Sequence, residues 1–419
     1  MDYEQSLKRK PIQYGRCESM KFMEINTLTA LIAVALYVPL LFATGTAYAQ
    51  DNIYITKAGS PAPTGSLSDP YQLVEAGIVR TLASPASTVQ IAAGKYYETF
   101  TTDTPCILKA TGGTVTIGKL DYQASTTLSI ITLNTHLAGD QWFMPSWQDY
   151  ERADDIADFF GGPNPTPDVV GFQEIWDEDL FFGGDDANGI RPRSGYPYGD
   201  HGDEGTFANS GCALMSKFPL ADFVQVEWDD CSGVDCWANK GWVQATIVKD
   251  GFSIGMFNLH ADADADEDDV EARFSQMVQL KNAVNSYRAA HPSHVMFVMG
   301  DYNIYGETAE YDTTLIPHIG IGTGGRDADR NAPGFVFNSS EWTVCDCNPL
   351  AMYFNDETAS GRIDYIFYIP SLDDSVEVIP VSVKVLPFTG RTLTDDDLMT
   401  DQSSDHWSVY GQFKLVTGS

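Results

Sequence analysis

The chain has 419 residues, 43% of them hydrophobic, and a formal net charge of −33 at pH 7. That length can bury a large core and suggests two or three domains. The charge excludes general adhesion to nucleic acid or anionic membranes through a basic surface, because phosphates repel such a chain on average.

Leu28 to Ala43 is an uncharged apolar run, preceded by Lys21 and followed by Ala47-Tyr48-Ala49. A charged start, a greasy middle and small residues before a cut are the pattern of a secretory signal. The run is short for a membrane span and Pro39 interrupts it. Residues 1–49 are therefore expected to be a leader cleaved after Ala49, leaving a secreted chain. Cys17 would leave with it, and six cysteines remain, an even number suited to an oxidising compartment. Cys231 and Cys236 are expected to close a small loop. Cys345 and Cys347 read as too close to pair comfortably, which leaves longer bridges to Cys106 or Cys212 open.

Residues 50–120 contain the short β runs NIYITKAGS, STVQIAAGKYYE and CILKATGGTVTIG, broken by Gly, Ser and Pro, with a helix expected between Tyr71 and Leu82. This reads as a small β-rich, β-helix-like segment. Stacked coils of that kind need about three turns for stability, so the segment is expected to dock on the larger domain C-terminal to it. From Ser129 the pattern alternates. LSIITLN and DVVGFQE read as buried strands around an amphipathic helix from Trp147 to Phe160. The strands CALMSKFP, GWVQATIV and FSIGMFNLH come next, then helical periodicity from Asp268 to Ala290, then HVMFVMGDYN, RIDYIFY, VEVIPVSVKVL and a last strand after His406. The order is satisfied by an α/β fold, a four-layer α-β-β-α sandwich of two packed mixed sheets flanked by helices, over residues 126–416.

Polar residues able to bind metal recur where these strands end: Asn134, Glu174, His260, Asp301 with Asn303, Asp364, and Asp405-His406 before the last strand. Each has a bland reading as a turn former, a satisfied interior histidine or an ion-pair partner. Their joint placement at apolar strand ends favours a site on one rim of the scaffold. His136, His201 and His318 are read as structural. The acidic run from Asp262 to Asp269 is read as a solvated approach to a helix, with acids at its start.

The ordered set N134, QE174, H260, GDYN303, RIDY365 and SDH406 resembles the endonuclease/exonuclease/phosphatase superfamily over roughly residues 126 to 416. The resemblance implies metal-assisted hydrolysis of a phosphate ester. Glu174 would supply a hard carboxylate to Mg²⁺, with Asn134 adding a carbonyl oxygen and Asp405 reaching the same metal cluster. His406 would be the general base, Asp301 would orient the attacking water, and Asp364 would orient a histidine. His260 and Asn303 would donate hydrogen bonds to the non-bridging phosphate oxygens.

Residues 211–251 resemble the corresponding stretch of secreted sphingomyelinases, through Ser216, Lys217, Pro219, Asp235, Asn239, Lys240 and Gly241. Asp235, Asn239 and Lys240 are accordingly expected on a substrate loop. Two departures stand out. Asp262 occupies a position where such enzymes carry Gln, and the stretch before Ser404-Asp405-His406 is acidic, with only Leu386 and Phe388 in place of an aromatic-tipped hairpin. The implied activity is hydrolysis of sphingomyelin to ceramide and phosphocholine, with Mg²⁺ or another divalent cation as cofactor. The partner would be a phospholipid at a membrane or micelle surface; the charge argues against nucleic acid, and no obligate protein partner is implied. An extracellular nuclease or other phosphoesterase on the same fold is the alternative, and a matrix or carbohydrate-binding protein led by residues 50–120 a third reading.

Overall fold

The computed structural model of the protein describes residues 124–417 except for 140–145, 163–165, 185–187, 203–208, 307, 334–337, 356–359 and 395–397. Before that stretch it describes residues 23–25, 52–56, 88–96, 107–117 and scattered positions between 59 and 78. The expected leader, its cleavage point and Cys106 lie outside the described residues, apart from a strand β1 (Met23–Ile25).

β1, β2 (Asn52–Ile55), β3 (Thr88–Tyr96) and β4 (Ile107–Ile117) form one sheet in the order β1-β4-β3-β2. β2, β3 and β4 run parallel, whereas β1 is antiparallel to β4. Val89, Ile91, Tyr96 and Val115 turn one face of this sheet inward, and Ile379 and Val416 of the main body complete that apolar cluster.

The main body has two six-stranded sheets. One contains β5 (Ser125–Leu137), β6 (Val169–Ile175), β7 (Tyr198–His201), β8 (Ala213–Ser216), β15 (Val376–Leu386) and β18 (Ser408–Thr417). Its order is β15-β18-β5-β6-β8-β7. The other contains β9 (Ala221–Glu227), β10 (Gly241–Lys249), β11 (Phe252–His260), β12 (Val295–Asp301), β13 (Arg326–Asp327) and β14 (Asp364–Ile369), ordered β13-β14-β12-β11-β10-β9. Nearly every side chain of β6, β11, β12 and β14 is buried, as continuous apolar runs covered on both faces require. Ile130, Leu214, Met256, Phe297, Ile366 and Phe413 fill the space between the sheets.

Helices cover both outer faces. α1 (Asp149–Gly161), α2 (Glu178–Phe182) and α3 (Ile190–Ser194) pack on the first sheet through Ile156, Phe160, Phe181 and Ile190. α4 (Glu267–Ala290) and a π-helical stretch, Tyr311–Ile321, pack on the second through Met277, Leu280, Val284 and Leu315. Asp266 and Asp269 close a capping box at the start of α4, so the acidic run does serve as a helix approach, but it is not solvated throughout, since Asp262 and Asp269 are buried. α5 (Ala328–Asn331) and α6 (Pro349–Asn355) lie in the long connection before β14. The architecture is the four-layer sandwich expected from the sequence.

One expectation is corrected. Cys345 and Cys347 are bonded to each other, with Cα atoms 5.1 Å apart, and Cys212 is a buried free thiol; the short span between the two Cα atoms lets the side chains meet across the single intervening residue. The stretch before Ser404 does form a hairpin, β16 (Thr389–Thr394) with β17 (Met399–Gln402). Within it Leu393 is buried and Met399 is exposed, and the apolar residues that precede it face inward. Phe388 is buried against Phe159 and Phe160, Leu386 packs on the same cluster, and the connection carries Asp395, Asp396 and Asp397.

Candidate active site

Strand register assembles one row of the site directly. His260 and Asp301 are paired residues of parallel β11 and β12, and Asp301 is paired with Asp364 across antiparallel β12 and β14. On the facing sheet, Asn134 of β5 is opposite Gln173 of β6, with Glu174 next along. Glu174, His136 and Asn303 all have left-handed backbone, with φ of 57°, 45° and 51°. Non-glycine residues adopt that conformation at some cost and concentrate in it at functional sites.

Asn134 Nδ2 donates to Glu174 Oε1 at 2.7 Å and to Asp301 Oδ2 at 3.0 Å, joining the two sheets. Its carbonyl oxygen accepts from the His136 N–H at 3.1 Å. Asn134 therefore faces the carboxylates as a donor, not as the oxygen ligand expected from its residue type. His260 Nε2 lies 3.6 Å from Glu174 Oε1 and 3.8 Å from Asp301 Oδ2. Glu174 Oε2 and both His260 ring nitrogens are buried without a hydrogen-bond partner. Burial, with the charges of Lys240, His406 and His136, holds the His260 pKa well below its ordinary value, so the ring is neutral.

His406 is held from three sides. Asp364 Oδ2 is 2.9 Å from His406 Nδ1, while Nε2 points toward Asp301 Oδ2 at 3.9 Å. Burial opposes the charged ring, but Asp364, then Asp405 and Asp301, outweigh it and raise the His406 pKa well above its ordinary value. The Asp301 carboxyl is pushed up to about 7 by burial and by Asp364, against the pull of His406, Asn134 and the Asn303 N–H. Ser404 Oγ donates to the Asn134 backbone carbonyl at 2.6 Å and accepts from the His406 N–H, fixing the segment before β18 to β5. Asn348 donates to the carbonyls of Ser404 and Asp405.

Among the described residues two groups of donor atoms converge: Glu174 with His260 and Asp301, and Asp301 with Asp364 and His406. Asp405 belongs to neither. Its carboxylate is 3.5 Å from His136 Nδ1, which in turn is 3.4 Å from Glu174 Oε2. An imidazole thus separates Asp405 from the carboxylate it was expected to join. His136, read as structural from sequence, stacks on Phe354 with centroids 3.9 Å apart. Its place two residues after Asn134 on the same strand, hence on the same face, was the signal available. Arg152 of α1 was also missed; it is buried and donates to the carbonyls of Thr135, His136 and Ser403. His201 and His318 bond to backbone carbonyls, His201 to that of Ile175 beside Glu174.

Asn303 donates through its side chain to the Ala261 carbonyl at 3.1 Å. Lys240 reaches the same carbonyl at 3.3 Å and pairs with Asp235 at 2.9 Å. Burial pulls the Lys240 pKa down, but Asp235 and Glu174 outweigh it and raise it. Asp235 also accepts from the Ala263 N–H. The expected substrate-loop residues Asp235 and Lys240 thus brace the segment after His260, and Asn239 has left-handed backbone at φ 44°. Asp262 accepts from the Ser232 N–H at 2.9 Å, and burial pushes its carboxyl up to about 6.

A family described as Endonuclease/Exonuclease/phosphatase matches residues 131–406. Sphingomyelinase C 2 of Leptospira interrogans is 26% identical over 210 residues, covering 49% of this chain but 32% of that protein. The match therefore spans about a third of that relative's length. A phospholipase C of Staphylococcus aureus is 24% identical over 261 residues, covering 58% of this chain and 73% of its own length. In structure, a beta toxin of S. aureus solved with bound magnesium ions superposes with a TM-score of 0.54 at 20% identity, over 70% of this chain and all of that one.

Proposed function

Because the chain belongs to the endonuclease/exonuclease/phosphatase family, we infer that its rim hydrolyses a phosphoric diester, and that the diester is sphingomyelin, cut to ceramide and phosphocholine. The observation that carries the reading is the His406 pair. One ring nitrogen is fixed by Asp364 and the other points at Asp301, across from Glu174 and His260. Water attacking phosphorus gives a proton to His406 Nε2, and Asp364 at Nδ1 stabilises the imidazolium. The bond from phosphorus to the ceramide oxygen breaks, that oxygen takes a proton from solvent water, His406 returns its proton to solvent, and phosphocholine departs. Asp301 accepts a hydrogen bond from the attacking water and so aims it. His260, neutral and otherwise unpartnered, offers an N–H to a non-bridging phosphate oxygen, and Asn303 stands beside it.

The residues present fit a divalent cation. The buried Glu174 Oε2 lacks a hydrogen bond, and the Glu174 and Asp301 carboxylates approach one another at a site also faced by His260. Glu174 and Asp301 would hold Mg²⁺, which prefers oxygen ligands. When bound, the ion would neutralise charge developing on the phosphate and on the leaving oxygen.

The lipid assignment is supported by the Ser216-to-Gly241 pattern and by relatives named as a sphingomyelinase and a phospholipase C. Charge supports it too: a chain at −33 approaches a zwitterionic headgroup with less repulsion than a nucleic-acid duplex. Secretion is supported by the leader-like pattern of residues 1–49 and by the exposed Cys231–Cys236 disulfide. The test is parallel hydrolysis of sphingomyelin, phosphatidylcholine and plasmid DNA with Mg²⁺ and with EDTA. Phosphocholine release from sphingomyelin, abolished by EDTA, is expected. DNA cleavage without phosphocholine release would replace this reading with a nuclease.

A further inference from the structure

Between β9 and β10 the chain makes a 3₁₀ turn, Gly233–Trp237, closed by the Cys231–Cys236 disulfide. Almost every part of this loop is fastened. Trp228 donates to the His260 carbonyl at 2.7 Å and packs on Trp242. Gln276 and Gln279 of α4 bond to the backbone of Asp230 and Asp229. Ser232 is tied to Asp262, and Asp235 to Lys240 and Ala263. Yet the top of the turn holds Val234 at 66% exposure and Trp237 at 53%. In a 3₁₀ helix, side chains at i and i+3 stand one above the other, so these two share a face, and the exposed disulfide adjoins them.

We propose that the Val234–Trp237 face is an interfacial anchor that seats the catalytic rim on a zwitterionic phospholipid surface. The proposal rests on the lipid reading above and adds the place of contact. Three observations point to lipid as the occupant. The turn adjoins the site: Lys240, three residues after Trp237, shares the Ala261 carbonyl with Asn303. The chain is strongly acidic, which disfavours attachment to anionic lipid and favours neutral, apolar and aromatic contact. The 389–402 hairpin that leads to His406 presents, among its described residues, one exposed apolar side chain, Met399, but no exposed aromatic, and it carries aspartates in its connection, with Phe388 before it buried. Trp is suited to the boundary between headgroup and acyl chain, where one end of the ring is apolar and the other wet. The exposed Asp229 and Asp230 beside the turn limit the contact to a shallow one. A turn held rigid by a disulfide keeps the anchor at a fixed distance from the cleavage site.

Binding to sphingomyelin/phosphatidylcholine vesicles is measured by co-sedimentation in the H406Q background, so that no lipid is consumed and the result does not depend on turnover. W237S is expected to weaken vesicle partitioning about tenfold, the scale of burying one aromatic side chain, and V234S by a smaller factor. With His406 restored, both variants should lose turnover on vesicles in the same proportion and keep the wild-type rate on water-soluble bis(p-nitrophenyl) phosphate. Unchanged vesicle partitioning of W237S and V234S overturns the anchor. So does a wild-type dimer that W237S converts to a monomer, which would assign the face to a second copy of the chain. A wild type that binds vesicles through Trp237 but hydrolyses neither lipid nor soluble diester overturns the phosphodiesterase reading instead.

Discussion

Replacing Asp364 by Asn removes the carboxylate foremost among those that overcome burial and raise the His406 imidazole. A base must be neutral to accept a proton, so activity should rise as pH passes the His406 pKa. Removing a group that raises that pKa should move the acid limb of kcat/KM to lower pH. At the same time the plateau should fall by roughly 10- to 100-fold, as the ring loses its orientation. H406Q should lose roughly 10² to 10⁴ in turnover and keep a folded far-ultraviolet spectrum. A D364N profile with the wild-type limb would separate Asp364 from the base, and near-wild-type turnover by H406Q would end that assignment. At this scale the titratable candidate residues were legible because each stands at or next to one end of an apolar strand. His136 was not, because a histidine in an apolar strand reads as a satisfied interior side chain until Glu174 and Asp405 are found beside it. Arg152 was not either, since an arginine on a helix reads as solvent-facing until its partners are known to be buried carbonyls.

The Cys231–Cys236 loop supplies a test at the scale of the element. Reducing it, or making C231S/C236S, should loosen the 3₁₀ turn and raise hydrogen exchange at Ser232 to Trp237, while α4 and β10 keep their protection. Protection unchanged throughout the turn would mean that the bonds from Ser232, Asp235, Gln276 and Gln279 suffice to hold it. Elements with strong apolar periodicity were readable to within a residue or two, as with β11, β18 and α4. Those that carry little periodicity were not. β9 is largely exposed along an unpaired sheet edge, and the β16–β17 hairpin is polar. The stretch Tyr311–Ile321 has Pro317 inside it, which argues against a helix from sequence, yet it is π-helical, with hydrogen bonds between residues five apart.

At the scale of the whole molecule, the small N-terminal sheet shares its core with the sandwich. It covers Ile379 and Val416, and Gln72 accepts a 2.5 Å hydrogen bond from the buried Tyr368 hydroxyl. The Pro61 carbonyl accepts from the Asp327 N–H at 3.0 Å. Deleting residues 1–120 should expose these groups, lower the melting temperature by roughly 5–10 °C and increase binding of a hydrophobic dye; an unchanged melting temperature would show that the sheet is dispensable to the sandwich. The sandwich itself has a consequence for timing. β18 pairs with β5, so the last strand in the chain lies beside the first of the main body, and Ser404 bonds across that seam to Asn134. The segment that carries His406 thus closes onto a strand 270 residues away along the chain, and it does so only late in assembly of the sandwich, once both strands are present. A partly folded chain in which β5 and β18 have not yet met can bring Glu174 and His260 near one another but has no His406 beside them, so the rim is completed by the pairing of two distant strands.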